Sequence, residues 1–399
     1  MTTSTPDTPP AMTPEPIPAV PPSGANALPK RIRESSPLHW TFRTAAVVAL
    51  AIVALYIANN AKPSTLGSVT EACILAIAAV ALNLLLGFNG QISIGHSTFV
   101  GLAAFTAGYT VNFWHWNAYW SLVLGILICF VVGLALGLPA LRLKGPYLAL
   151  VTLAVAFVWP TIAKKFLEQK VKKNSLKGTK LSPPTWTGLV SKGKEARLDK
   201  AIFLYWVAII LLVIAYVVVR NLRKSRIGRS LVAVRDNETA AAVMGVNLKF
   251  TKTVTFGISA SIAGTAGWLS AARLDVFNDA SFNILSSIRY LLALFLGGAA
   301  TLVGPIVGAF AYFFLDDYLK SHAPNWTWLP EQLSKGPIAS FLLGAIVIAF
   351  VFVAPFGLVG FVKEQARRVF VVTPRPLRPV PIPTAFDDER PEETEGERT

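Results

Sequence analysis

Long stretches without a charged side chain decide what this chain can become. Its charges collect in a few segments and leave ten apolar runs of about 15–24 residues between them, where about 20 apolar residues suffice to span a bilayer core as a helix. Only 15% of the 399 residues are charged and 53% are hydrophobic, against about 25% charged in an ordinary soluble domain. Inside a bilayer, helices satisfy their own backbone groups, which favours them over open strands. The sequence therefore predicts an all-α polytopic membrane protein of about ten transmembrane helices. The expected spans are 44–59, 66–87, 92–112, 118–141, 146–163, 201–219, 253–272, 286–303, 305–320 and 337–354.

The formal charge of +15 raises the question of nucleic acid. The basic residues flank apolar runs, where Lys and Arg orient membrane proteins, and no soluble basic domain remains once the runs are removed. No nucleic-acid partner is expected; the lipid bilayer is. Cys73 and Cys129 each lie inside an apolar run, which supports no disulfide framework. Residues 1–43 read as a disordered, Pro-rich cytoplasmic tail, with nine prolines among the first 29 residues. Lys30, Arg31, Arg33 and Arg43 then precede the first span, and Lys363, Arg367, Arg368, Arg375 and Arg378 follow the last. Both termini are thus expected in the cytoplasm. The transmembrane domain occupies 44–360, and 361–399 reads as a tail that is basic, then acidic from Asp387, and disordered. One conflict arises: residues 164–200 carry eleven Lys or Arg and residues 220–252 carry eight, with a single span between them. The second segment is assigned inside and the first outside, against the charge bias.

The search for chemistry gives little. "GLVSKGKE", Gly188 to Glu195, misses a phosphate-binding loop at its last position, where Glu195 replaces the Ser or Thr that holds magnesium. His39, His96, His115 and His322 are dispersed and have no metal-ligand spacing. No nucleophile elbow and no paired intramembrane carboxylates occur. The chain is expected to be no enzyme and to bind no cofactor or metal itself.

Three other constellations stand out. After a basic stretch ending at Arg235, Asp236 or Asn237 can cap a short helix, with Glu238 in its first turn. Thr239, Ala240 and Ala241 continue it and Gly245 can close it in a left-handed cap, giving a small-faced docking helix or, at its plainest, a surface loop. In "GFNGQISIGHSTFVG", Asn89, Gln91, Ser93, His96, Ser97 and Thr98 crowd into apolar depth among glycines. Such groups either line a path or bond neighbouring helices, and a helix would put Ser93 and Ser97 on one face. In "FGISASIAGTAGWLS", Ser259, Ala263 and Gly267, with Ala260 and Gly264, form a helix-packing face. The stretches "LLLGFNGQISIGHSTFVGLAAF" and "LFLGGAATLVGPIVGAFAYF" also echo each other, as internal repeats of transporters do.

At these residues the chain resembles the longer of the two membrane permeases of branched-chain amino-acid ABC importers. The resemblance rests on "LNLLLGFNGQISIGHSTFVGLAAFTAGY", "LPALRLKGPYLALVTLA", "SRIGRSLVAVRDNETAAAVMGVN", "LFLGGAATLVGPIVGA" and "APFGLVGF", in that order from about residue 66 to 360. It implies an ABC-importer permease bundle in the bacterial cytoplasmic membrane. It also implies a second permease subunit, two cytoplasmic ATPase subunits that carry ATP and magnesium, and an extracytoplasmic solute-binding protein. Asp236, Asn237, Glu238, Thr239, Ala240, Ala241 and Gly245 would form the coupling helix against an ATPase. The usual Glu-Ala-Ala, three residues, Gly pattern is met only loosely, because Glu238 stands one place early. Lys172, Lys173 and Asn174 stand where a Thr-Gly-Gly segment is common, and Arg289 where an acidic or apolar residue is usual. A self-sufficient secondary transporter or channel for a small polar solute is the alternative, with a structural scaffold behind it.

Overall fold

A computed structural model describes residues 30–33, 37–141, 146–170, 176–179, 181, 196–322, 338–354 and 356–373. Thirteen helices follow in chain order among them. They are α1 (Pro37–Asn60), α2 (Pro63–Asn83), α3 (His96–Phe113), α4 (Ala118–Gly137), α5 (Pro146–Lys170), α6 (Ala196–Lys224) and α7 (Arg226–Asp236). After them come α8 (Glu238–Val243), α9 (Leu248–Arg273), α10 (Ile284–Gly297), α11 (Gly304–His322), α12 (Ile338–Val353) and α13 (Gly357–Val369). All ten apolar runs are helical over most of their length. Four short strands accompany them: β1 (Lys30–Arg33), β2 (Leu176–Lys177), β3 (Val276–Phe277) and β4 (Phe370–Thr373).

The described residues divide into two units, those within 1–39 and 366–399, and those within 40–365. In the first, β1 and β4 pair in parallel, Lys30 opposite Phe370. The sequence reading gave unstructured tails over 1–43 and 361–399. Within those spans the described residues are β1, the start of α1 and the run from α13 into β4. Phe370, Val371, Val372 and Thr373 are aromatic and β-branched, the composition that suits a strand. Residues 1–29 and 374–399 lie outside the described residues.

In the larger unit the most enclosed of the apolar helices is α2. It runs through the middle, against α6, α9, α10 and α11, and 89% of its most apolar stretch is buried. α4 and α6 are more apolar but only 28% buried, as expected of helices that face lipid. Five helical segments are long and apolar enough to cross a membrane: Pro63–Phe88, Ala118–Gly137, Tyr147–Lys165, Arg197–Lys224 and Asp279–Gly297. α3 and α9 are not among them, because Gly, Ser and Thr replace large apolar residues where they are packed inside. The face read from sequence on α9 splits in two. Gly257, Ala260 and Gly264 meet α4, where a Cβ on Gly133 would come within 2.6 Å of the Ala260 Cβ. Gly267 lies against the Val100 carbonyl of α3. With no lipid-driven hydrophobic force between helices, such close backbone approach supplies the attraction.

The described parts of the two basic segments lie at opposite ends of the bundle. β2 pairs antiparallel with β3, and the Gly178 and Thr179 amides donate to the carbonyls of Asp275 and Ala271, at the end of α9. The α7–α8 corner precedes the start of α9, about 39 Å away along a 26-residue helix. Residues 171–175, with the Lys172–Asn174 substitution for Thr-Gly-Gly, and 182–195, with the phosphate-loop near-match, lie outside the described residues.

Candidate functional site

The corner between α7 and α8 is built by caps. The Ser225 side chain accepts from the Gly228 amide at the start of α7. The Asn237 side chain accepts from the Ala240 amide at 3.0 Å and opens α8, so Asn237, not Asp236, is the cap. Gly245, at φ +84°, closes it: its amide donates to the Ala242 carbonyl and that of Val246 to Ala241, both at 3.0 Å. This is the paired closure in which Gly is favoured because only it enters the left-handed region freely. Replacing Asn237 with Ala should cost about 1 kcal/mol locally. Hydrogen exchange at the Ala240 amide should then quicken about fivefold, with the rest of the bundle unchanged.

Charge fixes the corner to the bundle. Arg235 grips Asp236 Oδ1 through Nε (2.9 Å) and Nη2 (2.8 Å), and its Nη1 donates to the Gly87 carbonyl at 3.0 Å. Gly87 belongs to the π-helical turn 84–88 that ends α2, and the Arg223 guanidinium lies 5.3 Å from the Phe88 ring of the same turn. Glu238 Oε1 meets the Lys252 ammonium at 2.7 Å, where the lysine side chain is 6% exposed. A cation so enclosed needs its partner, since burial without one is expensive. Glu238 thus ties α8 to α9 as well as standing in the first turn. Thr239, Ala240 and Ala242 are exposed, so small residues do face outward. Ala241 is buried against its own chain, whereas Val243 and Met244 are 82% and 84% exposed. The outward surface thus combines the small Thr239, Ala240 and Ala242 with the large apolar Val243 and Met244 at the end of the helix, and the sequence reading had not singled out the last two.

Above the corner, α2 and α3 are separated by a break. Gly90 has φ +70°, and Gly95 lies so close to the Thr152 carbonyl that no side chain fits. The span expected from residue 92 therefore begins at His96. Ser93 sits in the break and not on a helix, so the expected face shared by Ser93 and Ser97 does not form. Asn89, Gln91, Ser93, His96, Ser97 and Thr98 are all buried. Two of them bond neighbours. His96 Nε2 lies 3.1 Å from Ser259 Oγ, whose hydroxyl donates to the Ala81 carbonyl. The Ser97 amide donates to Ser287 Oγ at 2.8 Å, and the Ser287 hydroxyl donates to Ser97 Oγ at 2.7 Å. The others keep unpartnered atoms: both amide atoms of Asn89, Gln91 Oε1, Ser93 Oγ and Thr98 Oγ1, together with His96 Nδ1. Asn89 and Gln91 border a cavity of about 210 Å³ that is also lined by Arg235, Asp236, Asn237, Glu238 and Lys252, with Gly90, Leu148 and Val234. The first two members of one constellation read from sequence thus share a cavity with the other.

The second helix–break–helix, α10 to α11, meets the first. Asn83 Oδ1 accepts from the Ala300 amide at 2.9 Å and its Nδ2 donates to the Thr301 carbonyl at 2.7 Å. The echo between the two stretches thus corresponds to two broken helices joined at their breaks. Asn83 was missed; the signal was a lone amide in the otherwise apolar "AVALNLLL". Ser287 and Tyr290, three apart on α10, and Ser259 and Ser270, eleven apart on α9, share faces at helical spacing. They continue the buried polar groups toward the far end. Among the described residues, no three His, Cys, Asp or Glu side chains group to hold a metal ion.

An all-α bundle with two broken helices at its centre and a thread of buried polar groups along them is the architecture of a multi-pass membrane permease. The chain belongs to the family described as the permease component of branched-chain amino acid transport systems, whose family model matches residues 64–351. It is 29% identical over 281 residues to the high-affinity branched-chain amino acid transport system permease protein LivM of Escherichia coli K12, covering 66% of this chain and 65% of the relative. Over 278 residues it is 29% identical to LivM of Salmonella typhimurium LT2, with the same coverage. A probable ABC transporter permease protein, YphD of E. coli K12, is 31% identical over 106 residues, 25% of this chain and 32% of the relative. The chain thus spans just under two thirds of the length of the LivM proteins. No solved structure matches.

Proposed function

We propose that this chain is one permease subunit of an ATP-driven importer for branched-chain or similar amino acids in a bacterial cytoplasmic membrane, with both termini cytoplasmic. It forms half of the translocation path with a second permease. Two cytoplasmic ATPase subunits hold ATP and magnesium, and an extracytoplasmic binding protein delivers the solute. The observation that carries this reading is the α7–α8 corner, a capped short helix that holds Val243 and Met244 out to water while Arg235 ties it to the end of α2. A self-sufficient transporter has no use for two large apolar side chains presented on a rigid cytoplasmic corner. Asp236, Asn237, Glu238, Thr239, Ala240, Ala241 and Gly245 form this coupling element. Closure of the ATPases pushes the corner, and Arg235 passes the displacement to the π-helical turn and the break beside it. Asn89, Gln91, Ser93, His96, Ser97 and Thr98 lie along the path, where unpartnered polar atoms exchange bonds with a passing solute.

Uptake of labelled leucine into vesicles tests this. Uptake should require ATP and should persist when an ionophore collapses the proton gradient at constant ATP. Loss of uptake with the gradient alone would transfer the chain to the class of secondary transporters.

A further inference from the structure

At the end of the bundle remote from the corner, five elements enclose a second cavity, of about 220 Å³. Drug-sized ligands occupy sites of about 300–1,000 Å³, so this one suits a smaller molecule. Its charged groups come from α2 (Glu71), α10 (Arg289) and α11 (Asp316, Lys320). Glu71 Oε2 is paired with Arg273 Nη1 at 3.0 Å and Asp316 Oδ2 with Lys320 Nζ at 2.6 Å. Among the described residues, the second carboxylate oxygen of each pair has no further hydrogen-bond partner. Arg289 is exposed and has no ion-pair partner among the described residues, so the lining carries one guanidinium free to take an anion. Tyr290 and Tyr312 are 7% and 5% exposed, and neither hydroxyl has a hydrogen-bond partner among the described residues. Both tyrosines border the cavity, as do the apolar side chains of Ile74, Leu75, Phe282 and Phe313.

We propose that this cavity receives an α-amino acid with an apolar side chain, and that Arg289 holds its carboxylate. The proposal rests on the import function above and gives it a place of entry. A guanidinium presents a fork of donors that matches a carboxylate in two parallel hydrogen bonds. The free oxygens of Glu71 and Asp316 accept from the ammonium, and the two tyrosine hydroxyls add bonds that complete either end. The apolar wall takes the side chain. A neutral sugar would leave Arg289 unmatched, and an amine without a carboxylate would add a positive charge beside it. From Tyr290, one turn along α10 leads to Ser287 and its bond with Ser97, which joins the entry cavity to the central polar groups.

The test uses the whole transporter, purified with its partner subunits and reconstituted in vesicles. Ser286→Cys places a reporter thiol on the cavity wall, and the native Cys73 and Cys129 are buried, away from an impermeant thiol reagent. Excess leucine should slow labelling of the reporter, and leucinamide, which lacks the carboxylate, should not. Adding R289Q should abolish protection by leucine and lower the apparent affinity for uptake about 10- to 100-fold, with Arg289→Lys between the two. ATP-driven uptake with no protection by leucine, or protection that survives R289Q, overturns the site and leaves the import function standing. Absence of ATP-driven uptake by the unsubstituted transporter overturns the function, and this site with it.

Discussion

Replacing Val243 and Met244 together by Asp should detach the ATPase partners and abolish uptake while the protein still reaches the membrane in normal amount. Both side chains are almost wholly exposed and lie on a corner held by Asn237, Gly245, Arg235 and the Glu238–Lys252 pair, so nothing within the bundle depends on them. Burying one Val or Met side chain at an interface is worth about 1.5–3 kcal/mol, and a carboxylate in its place must also be desolvated. The two losses together predict roughly a hundredfold or greater weakening. Co-purification of the ATPase subunits and ATP-driven uptake give the readout. Val276→Asp, a matched change on an exposed residue of β3 at the other end of α9, should leave the ATPases bound. Full retention and full uptake by the double variant would mean that the corner is not the docking point.

Gly308→Val should be strongly damaging to the bundle itself. A Cβ at Gly308 would overlap the Ala293 carbonyl oxygen and the backbone of Gly297, so α10 and α11 would have to separate. Overpacking commonly costs about 1–3 kcal/mol when side chains can yield; here the obstacle is backbone, and the cost should lie at or above the top of that range. Separation of these helices would also disturb the bonds of Asn83 to Ala300 and Thr301. The expected result is a large fall in membrane-integrated protein, seen by immunoblot of washed membranes. Gly344→Val on α12, where a Cβ meets nothing within 4 Å, should leave the level unchanged.

How much of this was legible in the sequence depends on the range of the interaction. The apolar runs announced their helices because burial in lipid is a property of each run alone. The caps at Asn237 and Gly245 were legible for the same reason: they satisfy backbone groups within three or four residues. The orientation of α8 was not, because which side of a six-residue helix turns outward is set by Arg235 reaching Gly87 and Lys252 reaching Glu238. Asn83 was overlooked because its partners, Ala300 and Thr301, are more than 200 residues away. The six polar residues from Asn89 to Thr98 were found as a group. Their division into bonded and unpartnered members required knowing that Ser259 and Ser287 stand opposite His96 and Ser97. Arg289 drew notice as a departure from a pattern, but its meaning came only with Glu71, Tyr312 and Asp316 around it.

The mismatch between centrality and apolarity has a consequence for how this protein is made. α3 and α9 are packed at the heart of the bundle yet are too rich in Gly, Ser and Thr to be counted among the segments able to cross a membrane unaided. α4 presents Gly133 and Gly137 to α9, and α9 begins at Leu248, about 110 residues after α4 ends at Gly137. At a synthesis rate of about 5–20 residues per second, roughly 5–20 s pass before that glycine face meets its complement. Throughout that interval the nascent chain holds an unfilled groove in the bilayer, with Ser and Thr hydroxyls still to come that lipid cannot satisfy. Survival through those seconds depends on whatever shields the groove, an insertase or a chaperone of the membrane, and a ribosome stalled between α4 and α9 would leave a fragment fit only for proteolysis.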